Sequence, residues 1–206
     1  MKSTNENNTL LAFIIDLINA TRGKKKSDGI IVYEYGKEQI ILDEARDILY
    51  QIARHYRIPD NQWYISKEAN DLWNRISKDD IWKYHYTDEV ICECSEPVSN
   101  VRFYSGSNKK KFIVDTIHTG MKISFNSVFH DEHMTDVKSI VSELYTLDPL
   151  TPENVLKTLN KIHIARILKT EDRDKITNTR GRGTDIEHVK DLYGNKYKIV
   201  LLDRIK

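Results

Sequence analysis

Residues 129–136, FHDEHMTD, bring two histidines and three carboxylates together within eight positions. They follow a run in which Met121, Ile123 and Phe125 alternate with polar residues, which predicts a β-strand leading into them. A histidine can take a proton from water near neutral pH, and a carboxylate with an imidazole can hold a divalent cation. Such a cation neutralises the charge that develops when a phosphodiester is cleaved. The segment therefore predicts either a metal-dependent hydrolytic site or a polar turn that ends the strand.

Residues 129–175 resemble the HNH, or ββα-metal, family of nucleases. The resemblance is carried by Glu132-His133 at the end of a strand, by Asn154, and by His163 nine residues later in NVLKTLNKIH. The segment F-x-D-E-H before a helix is similar to restriction-type members of that family. The resemblance implies that His133 is the general base, that Glu132 and His163 are metal ligands, and that Asn154 braces the loop of the base.

Two assignments stay open at this stage. Asp131 is the alternative to Glu132 as metal ligand, and His130 is a further candidate, because the sequence does not say which side of the strand end faces the site. If Asn154 lies inside a helix, nine residues at roughly 100° each place it opposite His163. Asn160 is then the alternative asparagine.

The resemblance also implies a cofactor. Many family members carry zinc-binding cysteines beside the final histidine, and here those positions are Leu159 and Ile162. We therefore expect no structural zinc, and we expect one divalent ion, Mg²⁺ or Mn²⁺, at the site.

A compact metal site contacts a phosphate, so the DNA must be positioned by other side chains. The candidate DNA-binding residues are Arg166, Arg180, Arg182, Lys109 and Lys110. Arg166 has a simpler alternative, a salt bridge with Glu171 or Asp172. We expect double-stranded DNA as the partner and a homodimer, because two strands must be cut.

Two other functions are compatible with the sequence. Asp115, followed by Asp136 and Lys138, resembles the D…(D/E)-x-K pattern of the other large restriction-enzyme fold, although Asp136 is expected to begin a helix. The alternative from another class is a non-catalytic DNA-binding regulator in which FHDEHMTD is a structural turn.

The elements that position these residues follow from periodicity and turn signals. Helices are expected from Thr9 to about Thr21, from Asp43 to about Ala53, from Ser66 to Ile76, around residues 137–145, from Thr151 to about Leu168, and around residues 185–192. A hairpin is expected within residues 29–42, several antiparallel strands after Asp80, and a last strand in YKIVLL.

Composition limits the class of protein. The chain has 206 residues, 39% of them apolar, and a net charge of +1, so it can fold but has no global basic field. Its two cysteines, Cys92 and Cys94, are too close for an ordinary disulfide and favour a reducing compartment. The apolar run at residues 10–15 is broken by Asp16, short of the roughly 20 residues that a bilayer requires. We expect a cytoplasmic protein with no membrane partner.

Together these observations predict an α+β fold in which a helical and hairpin unit precedes an antiparallel β segment and a ββα-metal core. The expected ranges are 1–80 for the amino-terminal helical unit, a candidate DNA-recognition module, 81–175 for the β segment and nuclease core, and 176–206 for a basic extension. The expected function is site-specific, metal-dependent hydrolysis of double-stranded DNA, as in a type II restriction endonuclease.

Overall fold

The computed structural model describes residues 3–22, 24–25, 31–32, 38–104, 112–176 and 182–204. They form two compact units. The helical unit comprises the described residues within 1–58, 135–162 and 181–185, and the sheet unit those within 59–134, 163–180 and 186–206. The chain passes between the units more than once, so they do not follow the boundaries expected after residues 80 and 175.

The fold is α+β, as expected. In the described residues the helices are α1 Ser3–Thr21, α2 Glu38–Arg54, α3 Lys67–Ile76, α4 Phe125–Val128, α5 Val137–Thr146, α6 Pro152–Leu159, α7 Lys169–Asp174 and α8 Ile186–Asp191. The strands are β1 Lys24–Lys25, β2 Ile31–Val32, β3 Trp63–Ser66, β4 Glu89–Ile91, β5 Val98–Tyr104, β6 Phe112–Ile117, β7 Lys122–Ser124, β8 Phe129–His133, β9 Ile164–Leu168 and β10 Leu201–Asp203. No helix in these ranges is both long and apolar enough to cross a membrane.

Local signals in the sequence explain the helical unit. α5 begins after Asp136, whose carboxylate accepts a hydrogen bond from the Lys138 amide. α6 begins after Thr151, whose hydroxyl accepts from the Asn154 amide, with Pro152 at the first turn. In this unit α1 packs against α2 and α6, and α5 packs against α2 and α6.

Two predicted elements are wrong in this part of the chain. α6 ends at Leu159 and does not continue to Leu168, because residues 164–168 pair as a strand. Residues 38–42, expected to form the second arm of a hairpin, belong to α2. The expected turn at residues 35–37 lies outside the described residues.

The sheet unit is built on a four-stranded sheet in the order β10-β3-β9-β8. β3 and β9 are parallel, whereas β10 with β3 and β8 with β9 are antiparallel. Two antiparallel pairs, β4 with β7 and β5 with β6, confirm strands expected after Asp80. The strand expected to lead into FHDEHMTD is wrong at residues 125–128, which form α4 between β7 and β8. The sequence did not predict β3, which runs directly into the capped start of α3 at Ser66.

The two faces of the four-stranded sheet bury different clusters. On one face, which we call the tryptophan face, Ile65 and Phe129 pack in the hydrophobic cluster that contains Trp73. On the other face, which we call the tyrosine face, Ala165 and Ile167 pack in the cluster that contains Tyr64, Tyr193 and Tyr197. Both faces are covered, which explains why the residues of β9 are buried almost throughout.

An ion pair on the tryptophan face joins β9 to β8. The Nε and Nη2 atoms of Arg166 donate to the two carboxylate oxygens of Asp131 at 2.7 and 3.0 Å, and Nη1 donates to the Ile81 carbonyl at 2.6 Å. The guanidinium lies 4.8 to 5.8 Å from the ring centres of Phe125, Trp82 and Trp63. Arg166 is 3% exposed, so its charge depends on this carboxylate.

Replacing Asp131 with alanine is expected to lower the free energy of unfolding by about 2–4 kcal/mol, because it leaves the buried guanidinium uncompensated. The Asp131 side chain is 24% exposed, which places the cost toward the lower end. Urea unfolding followed by tryptophan fluorescence measures the loss, since Trp63, Trp73 and Trp82 all belong to the sheet unit.

Asp174→Ala is the matched control, because it removes a carboxylate from an exposed ion pair with Arg102 in the same unit. Its side chain is 54% exposed, and the expected change is about 0–1 kcal/mol. Equal losses in the two variants would contradict a special role for the buried pair.

Candidate metal centre

The register of β8 on β9 decides where the polar residues of FHDEHMTD point. Glu132 lies opposite Ala165 and Asp131 lies opposite Arg166. Because opposed residues share a face and neighbours along a strand alternate, Glu132 and His130 project on the tyrosine face. Asp131 and His133 project on the tryptophan face.

His130, Glu132 and Asp172 form a cluster of potential metal ligands. The imidazole Nε2 of His130 lies 3.4 Å from a carboxylate oxygen of Glu132. With a carboxylate oxygen of Asp172 on α7, the three candidate ligand atoms lie within 4.8 Å of one another. All three side chains are partly buried.

The donor set fits a divalent cation. Ligand atoms about 2.0–2.2 Å from one ion lie at most about 4.4 Å apart, so small side-chain adjustments would bring these three into one coordination sphere. One imidazole with two carboxylates suits Mn²⁺ or Mg²⁺ better than a thiolate-preferring ion. Of the ligands expected from the sequence, Glu132 and the further candidate His130 lie in this cluster.

Asp131 and Arg166 have other roles than those expected. The Asp131 carboxylate is bound by the Arg166 guanidinium on the tryptophan face, so it is not available to the cation at Glu132. Arg166 is buried, so it does not present its charge to a DNA phosphate. Its partner is Asp131, and not Glu171 or Asp172.

His133 and His163 do not lie across the same cation. The Met134 amide donates to the His163 carbonyl at 2.9 Å, which places His163 opposite Met134 and on the face opposite to His133. His163 precedes β9 and is not in a helix, contrary to the expectation. The register therefore contradicts a single metal bound by His163 with His133 as its base.

His163 is held in a non-ionised state by its surroundings. Burial disfavours the imidazolium, and the nearby Lys190 charge disfavours it further, so the pKa falls from 6.5 to about 4 despite the opposing effect of Glu187. The imidazole ring also lies 5.8 Å from the Tyr64 ring. These contacts describe a packed neutral histidine.

The two candidate asparagines belong to the helical unit. The Asn154 side-chain amide donates to the Pro149 carbonyl at 2.9 Å, so it braces the start of its own helix. Asn160 ends α6, where its backbone amide donates to the Leu156 carbonyl. Neither of these contacts is the expected bracing of a base-bearing loop.

The structure does not place the remaining predicted DNA-binding residues on the described surface, and it does not support the alternative D…(D/E)-x-K site. Arg182 is 4% exposed and so is not placed on the surface, whereas Arg180, Lys109 and Lys110 lie outside the described residues. Asp115 is on β6 in the sheet unit. Asp136 and Lys138 start α5 in the helical unit, as expected, and not on the central strand that the D-x-K pattern requires.

Two cations adjoin the cluster on α7. The Nε atom of Arg173 lies 3.7 Å from a carboxylate oxygen of Asp172. Burial and the Arg173 charge lower the pKa of Lys169, and Asp172 partly opposes them. Asp172 was missed as a ligand because it lies in the charged stretch KTEDRD, where carboxylates are common and helical spacing does not distinguish one from another.

The comparisons with known proteins add no relative: no family model, no curated protein and no solved structure matches the chain.

Metal binding at the cluster can be measured directly. Glu132→Gln and Asp172→Asn are each expected to weaken Mn²⁺ binding by about tenfold or more in calorimetric titration, because each replaces a charged carboxylate ligand with a neutral amide. Mn²⁺ should also raise the thermal midpoint of the unaltered protein.

Asp174→Asn is the control, since Asp174 lies on the same helix but pairs with Arg102. It should bind Mn²⁺ as the unaltered protein does. Equal weakening by all three substitutions would exclude the cluster as the binding site.

The pKa of His163 predicts an acid-sensitive stability. The unfolded chain takes up this proton near pH 6.5 and the folded chain only near pH 4, so stability is lost as the pH falls through that window. His163→Phe, which keeps a ring beside Tyr64, is expected to reduce this loss by about 1–3 kcal/mol. Urea unfolding at pH 7 and pH 4.5 measures it.

His85→Phe serves as the comparison, because His85 is exposed. The reduction in the pH-dependent loss should be larger for His163→Phe than for this variant. A His163→Phe variant with the pH dependence of the unaltered protein would contradict the assignment.

Proposed function

We propose that this chain is a metal-dependent endonuclease that hydrolyses phosphodiester bonds of double-stranded DNA at specific sites. The observation that carries the proposal is the His130, Glu132 and Asp172 cluster, with two candidate ligands on β8 and one on α7. The FHDEHMTD segment, which carries part of the HNH resemblance, would supply two of the three ligands.

His130, Glu132 and Asp172 would hold the cation, Mg²⁺ or Mn²⁺. When bound, the cation would neutralise charge on the phosphate and acidify a water molecule. Glu132 and Asp172 supply the negative charge that attracts the ion, and His130 supplies a neutral nitrogen donor. Because β8 is paired along its length with β9, two of the three donors stand on a rigid strand, which favours a constant geometry.

The proposal includes the oligomeric state, the substrate and the cellular compartment. A homodimer acting on a short duplex site in the cytoplasm would place one cation site at each strand. His133, on the opposite face from Glu132, is not assigned as the base at this cation.

Incubation of the purified protein with plasmid and genomic DNA in Mg²⁺ or Mn²⁺ tests the proposal. Discrete fragments are expected, and Glu132→Gln, Asp172→Asn or EDTA should each reduce cleavage by about 100-fold or more, because the cation is lost. Asp174→Asn should cleave like the unaltered protein.

His130→Ala and His133→Ala form a matched pair, because the two histidines lie on opposite faces of one strand. Loss of cleavage in the first and retention in the second are expected. DNA binding without cleavage in any metal would reject the proposal in favour of a DNA-binding regulator.

A further inference from the structure

A basic and aromatic surface borders the candidate metal centre. We define the basic–aromatic patch as Lys169 and Arg173 of α7, Tyr104 at the end of β5, and Tyr86. The Nζ atom of Lys169 lies 4.6 Å from the Tyr104 ring centre and 5.6 Å from that of Tyr86. The Arg173 guanidinium lies 5.4 Å from the Tyr104 ring centre. The Tyr104 ring therefore orients both the Lys169 ammonium and the Arg173 guanidinium.

The charges of the patch are coupled to the metal centre through Asp172. Lys169 and Arg173 are four residues apart on one helix, where like charges repel. The Asp172 carboxylate reduces this repulsion, since it lies 3.7 Å from Arg173 and acts on Lys169. The same carboxylate is one of the three candidate ligands. A cation that engages Asp172 would therefore leave the patch with an excess of positive charge beside the ion.

The exposure of the patch fits a polyanion with aromatic groups. Arg173 is 52% exposed and Tyr86 is 48% exposed, so a charge and a ring face are both accessible. A DNA strand alternates phosphates with nucleosides, and proteins contact its phosphates and sugars with arginine, lysine and tyrosine side chains. An isolated phosphate would use the cations but would have no need of the ring.

We propose that Lys169 and Arg173 bind the backbone phosphates next to the phosphate at the metal centre, and that Tyr86 contacts the adjoining nucleoside. This proposal rests on the proposed function, because it takes the cation at His130, Glu132 and Asp172 as the point of cleavage. Lys169 and Arg173, which follow β9 in the chain, thereby take the DNA-positioning role that the sequence suggested for Arg166.

Binding of a fluorescent DNA duplex, measured by anisotropy in Ca²⁺ with a gel to verify that the DNA stays intact, tests the patch. Lys169→Gln/Arg173→Gln is expected to weaken binding about tenfold or more and to lower the slope of log affinity against log salt by about 1 to 2. The loss should be the same for two unrelated duplex sequences. Arg173→Gln alone, at an exposed position, should give a smaller change in the same direction.

Tyr86→Leu should weaken binding without changing the salt slope, because it removes a ring and no charge. Lys122→Gln is the control for loss of one positive charge, since Lys122 is an exposed lysine on β7 of the same unit. It should bind DNA like the unaltered protein. Mn²⁺ titration should show that the patch variants still bind the cation.

The outcomes separate this proposal from the proposed function. If the patch variants bind DNA as tightly as the Lys122→Gln control, the patch is rejected, whether or not the protein cleaves DNA. If the patch variants lose DNA binding but no DNA is cleaved in any metal, the patch is supported and the nuclease function is rejected. An unaltered protein that binds no DNA would overturn the patch.

Discussion

The buried ion pair between Arg166 and Asp131 constrains how β8 pairs with β9 in the sheet unit. The two residues are directly opposed in the β8 and β9 register, and their bond is bidentate. A slip of one residue would turn Arg166 to the tyrosine face, away from its carboxylate and the aromatic rings that surround it. The free energy of leaving a guanidinium buried without a partner therefore selects the observed register. Through that register, the pair also decides which way Glu132 points.

Because side chains alternate along a strand, one polar segment supplies groups to different parts of the molecule. Asp131 completes an ion pair, Met134 is buried on the tyrosine face, and Asp136 caps α5. His130 and Glu132 are the residues of the segment that meet a carboxylate from another element, that of Asp172. The dense chemistry of FHDEHMTD is thus partly structural, and sequence proximity alone does not separate the structural residues from the candidate ligands.

What the sequence predicted well depends on local interactions. The start of α3 at Ser66, the Asp136 cap of α5 and the Thr151 cap of α6 each involve groups within three residues of one another. β9 was mistaken for the end of a helix because its apolar residues suit either structure, and its pairing partners are more than thirty residues away. Asp172 was missed for the same reason, since its neighbours His130 and Glu132 come from a distant strand. Local chemistry identified a candidate segment, and tertiary pairing determined its geometry.

The near-zero net charge of the chain makes local electrostatics decisive for any polyanionic partner. With 32 basic and 31 acidic residues, long-range attraction to DNA is weak, so binding must come from charges that are close to the contact. The candidate cation and the basic–aromatic patch are two local sources of positive charge. Asp172 links them, because it is a candidate ligand of the cation and also lies beside Arg173. If a cation removes this carboxylate from the patch, it strengthens the attraction of Lys169 and Arg173 for a phosphate. Thermodynamic reciprocity then requires a bound phosphate strand to strengthen cation binding by the same factor. An arrangement of this kind would retain the cation chiefly while a strand is present.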